Sequence, residues 1–248
     1  MDDHVILGID IGGTGMKGAP VNVHTGELLT ERFRIPTPQP ANPESMTATL
    51  KDIVDHFEWK GPIGCGFPAA VQLGVVRTAS NIDKSWIGVQ VEALFSKKTN
   101  LPVSVVNDAD AAGLASARFG AGKDIPGVMV FVTVGTGIGT ALFIDGKLVP
   151  NTELGHVYLK GHTHVAEKYC ANSIRKNEEL SWEIWGNRLN EYLNQLHGWF
   201  YPNKIILGGG QSKKWENYEQ WIDVPCETVP ATLLNHAGII GAAMAAVK

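Results

Sequence analysis

Two stretches of the chain repeat one pattern: an apolar run, a Gly-Thr-Gly turn and a second apolar run. They cover residues 5–29 and residues 128–149. Each turn follows a run rich in Val and Ile, so each stretch predicts two tightly joined strands whose turn leaves backbone N–H groups pointing outward. The duplication indicates two similar lobes with a phosphate held in the cleft between them, and therefore a phosphotransferase.

Other periodic runs predict the elements around these hairpins. Apolar positions recur at helical spacing after Asn42, which is the expected N-cap, with Pro43 in the first turn. An aromatic and leucine stripe begins at Trp182 and is typical of a core helix, which Gly198 is expected to end. The remaining predictions are strands at 63–67, 101–106 and 204–207, hairpins turning at Thr25-Gly26, 71–76 and Asp145-Gly146, and helices from 108 onward and at 238–247.

The repeat also predicts the domain organisation of an α/β protein. A small lobe comprises residues 1–106 and is completed by the C-terminal helix 237–248, while residues 107–236 form the larger lobe. The chain of 248 residues, 44% of them hydrophobic, is long enough to bury a core in each lobe.

Composition and charge exclude several classes of protein. The net charge of -4 and the scattered Lys and Arg argue against nucleic acid as a partner. No apolar stretch approaches the roughly 20 residues that span a membrane. The three cysteines, Cys65, Cys170 and Cys226, are odd in number and widely spaced, which favours a reducing cytosol over a disulfide framework.

The first turn carries a candidate phosphate site in the segment DIGGTGMKG. Gly12 and Gly13 allow close approach of the backbone to phosphate oxygens, and the Thr14 hydroxyl and the Lys17 ammonium add donors. The spacing is neither that of a P-loop nor that of a dinucleotide fingerprint. An ordinary glycine hairpin is the alternative, and the second copy at Gly135, Thr136 and Gly137 weakens it.

Asp108 is the candidate general base. It follows the strand at 101–106 and opens a helix, where α/β sheets place ligands and where a carboxylate is held ready to accept a hydroxyl proton. A plain helix N-cap is the alternative. The adjacent Asn107 supplies a second polar group, as a sugar with several hydroxyls requires.

Polar residues after the second hairpin suggest either a sugar site or a metal site. Glu153 and His156 lie three residues apart, and Glu167 follows. His162 and His164 raise the metal alternative, but they are expected to be exposed loop residues, because only Cys170 is near and no helical His spacing occurs.

With these residues assembled, the chain resembles the ROK sugar kinase family, and within it the polyphosphate-using glucokinases, over nearly its whole length. The segments that carry the resemblance are DIGGTGMKG, SNIDKSWIG, NDADAAGLA, GTGIGTA, PNTELGH and AGIIGAAMAA. It implies two ribonuclease H-like lobes of the actin and hexokinase type. Many members have a cysteine-rich zinc motif after the E-L-G-H segment, and here that region has one Cys, so no structural zinc is expected.

The resemblance also implies roles for individual residues. The sugar is held by Asn107, Asp108, Glu153 and His156, completed by Gly66, Asn81 and Glu167, and Asp108 takes the proton from the attacking hydroxyl. Asp10 is the candidate Mg²⁺ ligand. The expected activity is phosphoryl transfer from inorganic polyphosphate to the 6-hydroxyl of glucose.

The phosphate donor is the open question. Gly208, Gly209 and Gly210 correspond to the place where related kinases seat adenosine, so ATP remains a second donor, and an ATP-dependent hexokinase for glucose, mannose or fructose is the alternative. Polyphosphate would need spaced cations. Those available are Lys84, Arg175, Lys176, Lys213 and Lys214, for which a solvated surface is the alternative.

The family also sets expectations about partners and location. It includes transcriptional repressors with an N-terminal helix-turn-helix module, whereas this chain opens on its phosphate strand at Val5, so DNA binding is expected to be absent. A cytoplasmic homodimer is the family expectation.

Overall fold

The computed structural model describes residues 4–80 and 82–247, and its contacts divide the chain into two units. The first unit comprises Met1–Ala115 and His236–Lys248, and the second comprises Ser116–Asn235. The sequence predicts a division after residue 106, whereas the observed division falls later, inside a helix that contributes residues to both units.

The strands are β1 (Val5–Gly12), β2 (Gly15–Asn22), β3 (Phe33–Ile35), β4 (Ile63–Phe67), β5 (Val71–Gln72), β6 (Val75–Val76), β7 (Val103–Asn107), β8 (Val128–Val134), β9 (Ile138–Ile144), β10 (Lys147–Val149), β11 (Lys204–Gly208) and β12 (Glu227–Pro230). The helices are α1 (Pro43–His56), α2 (Val91–Thr99), α3 (Asp108–Phe119), α4 (Glu167–Cys170), α5 (Asn172–Asn177), α6 (Trp182–Phe200) and α7 (Ala237–Ala245).

Within the described residues, each unit is built on a five-stranded sheet, and the two sheets have one topology. The strand orders are β3-β2-β1-β4-β7 and β10-β9-β8-β11-β12. In both, the first three strands pair antiparallel, and two further strands join in parallel on the other side of the first. The predicted duplicated α/β fold is therefore confirmed, and the repeat includes more strands than the hairpin pattern indicated.

The sheet of the first unit is covered on both faces. Alternate residues of β1 point to opposite faces, so Leu7 and Ile9 pack into the core that α1 and α2 complete. Asn42 caps α1 as predicted, because its Oδ1 accepts a hydrogen bond from Ser45 N. On the opposite face α7 lies directly on strand backbone, since a Cβ at Gly8 or at Gly64 would overlap a carbonyl of α7.

The long helix α6 anchors the core of the second unit. Its buried positions follow the predicted stripe: Trp185, Leu189, Tyr192, Leu193 and Leu196. The prediction that Gly198 ends this helix is wrong, because α6 continues to Phe200. Tyr201 ends it in the left-handed conformation with φ 44°, and Pro202 cannot extend it. In the part of the chain that the structure describes, no helix is long and apolar enough to cross a membrane.

Candidate active site

The carboxyl edge of the first sheet brings together residues that are distant in sequence. Asp10 stands opposite Gly66 in the β1–β4 register, and Gly66 stands opposite Val106 in the β4–β7 register. Asn107 and Asp108 come next along the chain. Because neighbouring strands lie about 5 Å apart, Asp10, Gly66 and Asp108 share one edge of the sheet, where the sequence places the ligand.

Asp10 and Lys17 form an ion pair across the first hairpin. Their Cα atoms are register partners, and Lys17 Nζ lies 3.0 Å from Asp10 Oδ2. The exposed fractions of the two side chains are 18% for Asp10 and 26% for Lys17. The carboxylate also lies beside the first turn of α7, because a Cβ at Gly238 would come within 2.7 Å of Asp10 Cγ.

Two side chains that the sequence pattern does not single out bind the backbone of the first turn. Arg34 Nη2 donates to the Thr14 carbonyl at 2.7 Å, and Thr37 Oγ1 donates to the Gly12 carbonyl at 2.5 Å. The N–H groups of Gly13 and Thr14 have no acceptor among the described residues. Side chains therefore bind the Gly12 and Thr14 carbonyls, while the N–H groups of Gly13 and Thr14 stay unpaired among the described residues; anion binding by them stays a prediction.

Asn107 and Asp108 divide two tasks at the start of α3. Asn107 Oδ1 accepts from Ala109 N at 2.8 Å and from Asp110 N at 3.2 Å, so the Asn107 amide caps the helix. Its Nδ2 donates to the Ala69 carbonyl, and one N–H of the amide has no acceptor among the described residues. The half-buried Asp108 accepts from Ala109 N at 2.8 Å through Oδ1. A dedicated N-cap at Asn107 weakens the interpretation of Asp108 as a plain cap.

Gly66 lies tightly between elements of the first unit. A Cβ there would come within 3.3 Å of Ala111 Cβ and 3.7 Å of Asp108 Cα. Gly66 therefore sets how closely α3 and Asp108 approach β4. Asn81, the other residue expected to complete the sugar pocket, lies outside the described residues.

The second turn differs from the first in length and in bonding. It places three residues, Gly135 to Gly137, between the paired Val134 and Ile138. Gly135 N donates to the Gly137 carbonyl at 2.9 Å, so Gly135 does not supply one of the unpaired N–H groups that the sequence predicts for this turn. Those of Thr136 and Gly137 have no acceptor in the part of the chain described.

Glu167 supports this second turn. The exposed fraction of the residue is 9%, and its Oε2 accepts from Ile138 N at 3.0 Å. A Cβ at Gly137 would overlap the carboxylate, so Glu167 lies directly against the turn. The assignment of Glu167 to the sugar pocket stays a prediction. The structure adds its contact with the second turn at Gly137 and Ile138.

Glu153 and His156 form the predicted pair. Glu153 Oε2 lies 3.2 Å from His156 Nδ1, and both side chains are about one-third exposed, at 33% and 37%. Thr140 holds the backbone on both sides of Glu153, because its Oγ1 donates to the Thr152 carbonyl at 2.7 Å and accepts from Leu154 N. The carboxylate therefore orients the imidazole ring, and the role of the pair in sugar binding stays a prediction.

Three consecutive glycines, of which Gly208 ends β11, lie near the second turn at the carboxyl edge of the second sheet. Gly209 has φ 73°, and a Cβ there would come within 2.7 Å of the Val134 carbonyl oxygen. Gly208 packs against Phe131, while no atom lies within 4 Å of a Cβ at Gly210. The structure thus brings together two predicted donor segments, Gly135 to Gly137 and Gly208 to Gly210.

The candidate cations are spread over both units. Lys84 is exposed in a short 3-10 helix of the first unit. In the second unit Lys213 and Lys214 are exposed in the 3-10 segment Gly209–Asn217, and Lys176 is exposed in α5. Arg175 is half-buried, with its guanidinium 4.0 Å from the centroid of the Trp182 ring.

The metal alternative finds no support in the histidines. Both histidines lie in a loop as predicted, and His164 is exposed, but His162 is half-buried and its Nε2 lies 2.7 Å from Glu191 Oε1. Tyr169 donates to the same Glu191, and burial and that carboxylate raise the pKa of Tyr169 to about 12. Burial also raises the pKa of Cys170. Within residues 4–80 and 82–247, no three His, Cys, Asp or Glu side chains group around a common point.

Comparison with known proteins agrees with this geometry. The sequence matches the ROK family over residues 6–173. It is 42% identical to a polyphosphate glucokinase of Mycobacterium tuberculosis, over 97% of this chain and 91% of the relative. A polyphosphate glucokinase of Mycobacterium leprae is also 42% identical, over 98% of this chain and 74% of the relative.

Solved structures give the same answer for the fold. The structure of an inorganic polyphosphate/ATP-glucomannokinase from Arthrobacter sp. strain KM matches with a TM-score of 0.91 and 44% identity, over 97% of each chain. One conclusion follows from the shared topology of the two sheets, from the motifs at their edges and from these matches: the chain belongs to the ROK family.

Proposed function

We propose that this chain transfers the terminal phosphoryl group of inorganic polyphosphate to the 6-hydroxyl of glucose. The observation that carries the proposal is the carboxyl edge of the first unit, where Asp108 stands beside Gly66 and Asp10 while Asn107 caps the helix. The polyphosphate glucokinases that resemble the chain over 97% of its length support the same reaction.

Asp108 is the general base of the proposed reaction. It accepts the proton of the glucose 6-hydroxyl as that oxygen forms a bond to the terminal phosphorus. The bond from this phosphorus to its bridging oxygen breaks, and the donor leaves shortened by one phosphate. Because phosphoryl transfer has a loose transition state, alignment and charge neutralisation supply most of the rate enhancement.

Neutralisation of donor charge falls to Lys17 and to the backbone N–H groups of the turns. Lys17 moves from Asp10 to the donor phosphates, a short shift for a flexible side chain. Asp10 fits a Mg²⁺ ligand, since Mg²⁺ in kinases is held by one or two carboxylates together with donor phosphates. When bound, Mg²⁺ would offset negative charge on those phosphates.

Sugar recognition is assigned to the polar residues that the family resemblance implies. In the second unit, the Glu153–His156 pair offers an acceptor and an oriented imidazole to sugar hydroxyls. In the first unit, Asn107 offers its remaining N–H, and Gly66 lets Asp108 lie close to β4. Asn81 and Glu167 complete this proposed set.

ATP is the second donor we propose. Gly209 lies against Val134 beside the second turn, and the similar Arthrobacter protein is an inorganic polyphosphate/ATP-glucomannokinase. Because that relative is a glucomannokinase, mannose is the first alternative sugar to test.

A donor and acceptor screen tests the function. Purified protein is incubated with Mg²⁺, long-chain polyphosphate or ATP, and glucose, mannose or fructose, and the sugar phosphate is quantified. We expect glucose 6-phosphate from polyphosphate without any nucleotide. Product formed only with ATP would replace the proposal by an ATP-dependent hexokinase.

Two further expectations accompany the proposal. Free thiols at Cys65, Cys170 and Cys226 favour a reducing compartment and hence the cytoplasm. The homodimer expected for the family is tested by light scattering coupled to gel filtration.

A further inference from the structure

A pair of cations flanks one tryptophan in the second unit. The guanidinium of Arg175 lies 4.0 Å from the centroid of the Trp182 ring, and Lys214 Nζ lies 5.9 Å from the same centroid. Attraction to the electron-rich ring lowers the cost of holding two like charges close together. Trp182 thus organises two positive charges that the sequence left as separate surface residues.

Both segments that carry these cations start at the second turn. Ser173 of α5 donates through its N–H to the Gly135 carbonyl at 3.3 Å and through Oγ to the Thr136 carbonyl at 2.5 Å. Arg175 follows two residues later, and its Nε donates to Asn172 Oδ1, which turns the side chain back toward the start of α5. Lys214 belongs to the segment that begins where Gly209 packs on Val134.

Arg175 and Lys214 keep their positive charge unpaired among residues 4–80 and 82–247. Among the described residues, no carboxylate forms an ion pair with Arg175 or Lys214. Glu178, which is close to Arg175 in sequence, pairs with Arg188 at 2.9 Å instead. Two cations without a carboxylate, beside a turn that offers N–H groups, form a local site for a polyanion.

The Trp182 ring is also held rigidly in place. Trp182 stacks on the buried Tyr218 with centroids 6.1 Å apart, and it meets the buried Trp185 edge to face at 5.7 Å. A ring fixed on two sides reduces the entropy lost when the cations contact a ligand.

We infer that Arg175 and Lys214, held by Trp182, bind the part of polyphosphate that extends beyond the reacting phosphates. This inference rests on the proposed function. It makes the cluster of Arg175, Lys214 and Trp182 a determinant of the preferred polyphosphate length. An unbranched chain with a negative charge on each phosphate reaches both the turn and the cluster. Tripolyphosphate occupies the turn and leaves the cluster largely unused.

Equilibrium binding to the full chain tests the inference. Dissociation constants for long-chain polyphosphate and for tripolyphosphate are measured by calorimetry at several salt concentrations, for wild type and for the double variant Arg175→Ala/Lys214→Ala. We expect the double variant to bind the long chain about tenfold more weakly, with a salt slope smaller by about two, because two phosphate contacts are lost. Binding of tripolyphosphate is expected to change by less than about threefold.

The matched control removes the same charge elsewhere in the unit. Lys123 and Lys147 are exposed, and Lys147 pairs with Ile144, which in turn pairs with Val128 at the end of the sheet opposite the turn. The variant Lys123→Ala/Lys147→Ala is expected to bind both anions like wild type. Arg175→Lys, which keeps the charge, is expected to retain most of the affinity for the long chain.

The outcomes separate this inference from the function on which it rests. If wild type uses polyphosphate and the Arg175/Lys214 double variant binds the long chain as tightly as wild type, the inference alone is overturned. An equal loss for both anions, or the same loss in the control, also overturns it. If wild type neither binds nor uses polyphosphate, the donor proposal and this inference fall together.

Discussion

Lys17 Nζ lies 3.0 Å from Asp10 Oδ2, and the two residues face each other in the antiparallel register of β1 and β2. The strand pairing itself therefore places a cation and a candidate Mg²⁺ ligand side by side at the edge of the first sheet. The ion pair holds both side chains near the Gly13–Thr14 turn without an additional element.

Replacement of Lys17 by Met should impair use of the donor more than binding of the sugar. The ammonium stabilises charge on the transferring phosphates, so we expect kcat/KM for the donor to fall by about 10²–10³. The glucose dissociation constant should stay at its wild-type value. Lys51→Met is the matched control, since Lys51 pairs with Asp55 on the exposed side of α1. Equal losses in both variants would contradict this assignment.

Asp108→Asn should remove the base and preserve the fold. Turnover is expected to fall by about 10²–10⁴, the usual effect of losing a general base. The urea midpoint of unfolding should stay near that of wild type, because Asn107 still caps α3. A folded variant with nearly normal turnover would exclude Asp108 as the base.

Asn107→Ala should be costly for stability. Its Oδ1 accepts two backbone hydrogen bonds at the start of α3, so we expect the free energy of unfolding to fall by about 1–2 kcal/mol. Asn107→Asp keeps an acceptor there and should recover most of that stability. Urea unfolding measures all three proteins, and equal stabilities would show that the cap is unimportant.

Neighbouring glycines after β11 should respond differently to a methyl group. Gly209→Ala forces a side chain onto a residue with φ 73° and against the Val134 backbone, so a loss of about 1–3 kcal/mol is expected. Gly210→Ala meets no atom within 4 Å and should fold like wild type. Thermal and urea unfolding compare the two variants, and equal stabilities would argue against the packing of Gly209 on β8.

Stability should decline at alkaline pH. Burial raises the pKa of Cys65, Cys170 and Tyr192, so the folded state retains protons that the unfolded state releases. Stability from these groups is complete below their unfolded pKa values. It decreases above about pH 9 for the two thiols and above about pH 10 for Tyr192, by about 1.4 kcal/mol per pH unit for each group that ionises in the unfolded state. Urea unfolding across this range measures the slope. Cys65→Ala should reduce it, and an unchanged slope would contradict the role of Cys65.

The sequence predicts best those features that a local pattern determines. The hairpins around Gly13 and Gly135, the α1 cap at Asn42 and the stripe of α6 all follow from neighbouring residues, and the structure contains each of them. The short edge strands β3 and β12 escaped prediction, because three or four residues carry little periodicity and β12 ends in Pro230.

Long-range contacts explain what the sequence missed at the site. Arg34 and Thr37 reach the first turn only because β3 folds back beside β2, and Ser173 reaches the second turn from a separate helix. The Trp182 stripe was correctly interpreted as core, yet spacing alone gave no sign of the two cations at its ring. Partners that come from distant segments leave no local pattern to detect.

The place of α7 in the chain has a consequence for synthesis. This helix lies on β1 and β4 of the first unit, but a ribosome makes it only after the whole second unit. The nascent first unit therefore waits with part of one sheet face uncovered, namely the backbone at Gly8 and Gly64, while the elements of the second unit are already made. The part of the protein that is translated first is the part that completes its folding last.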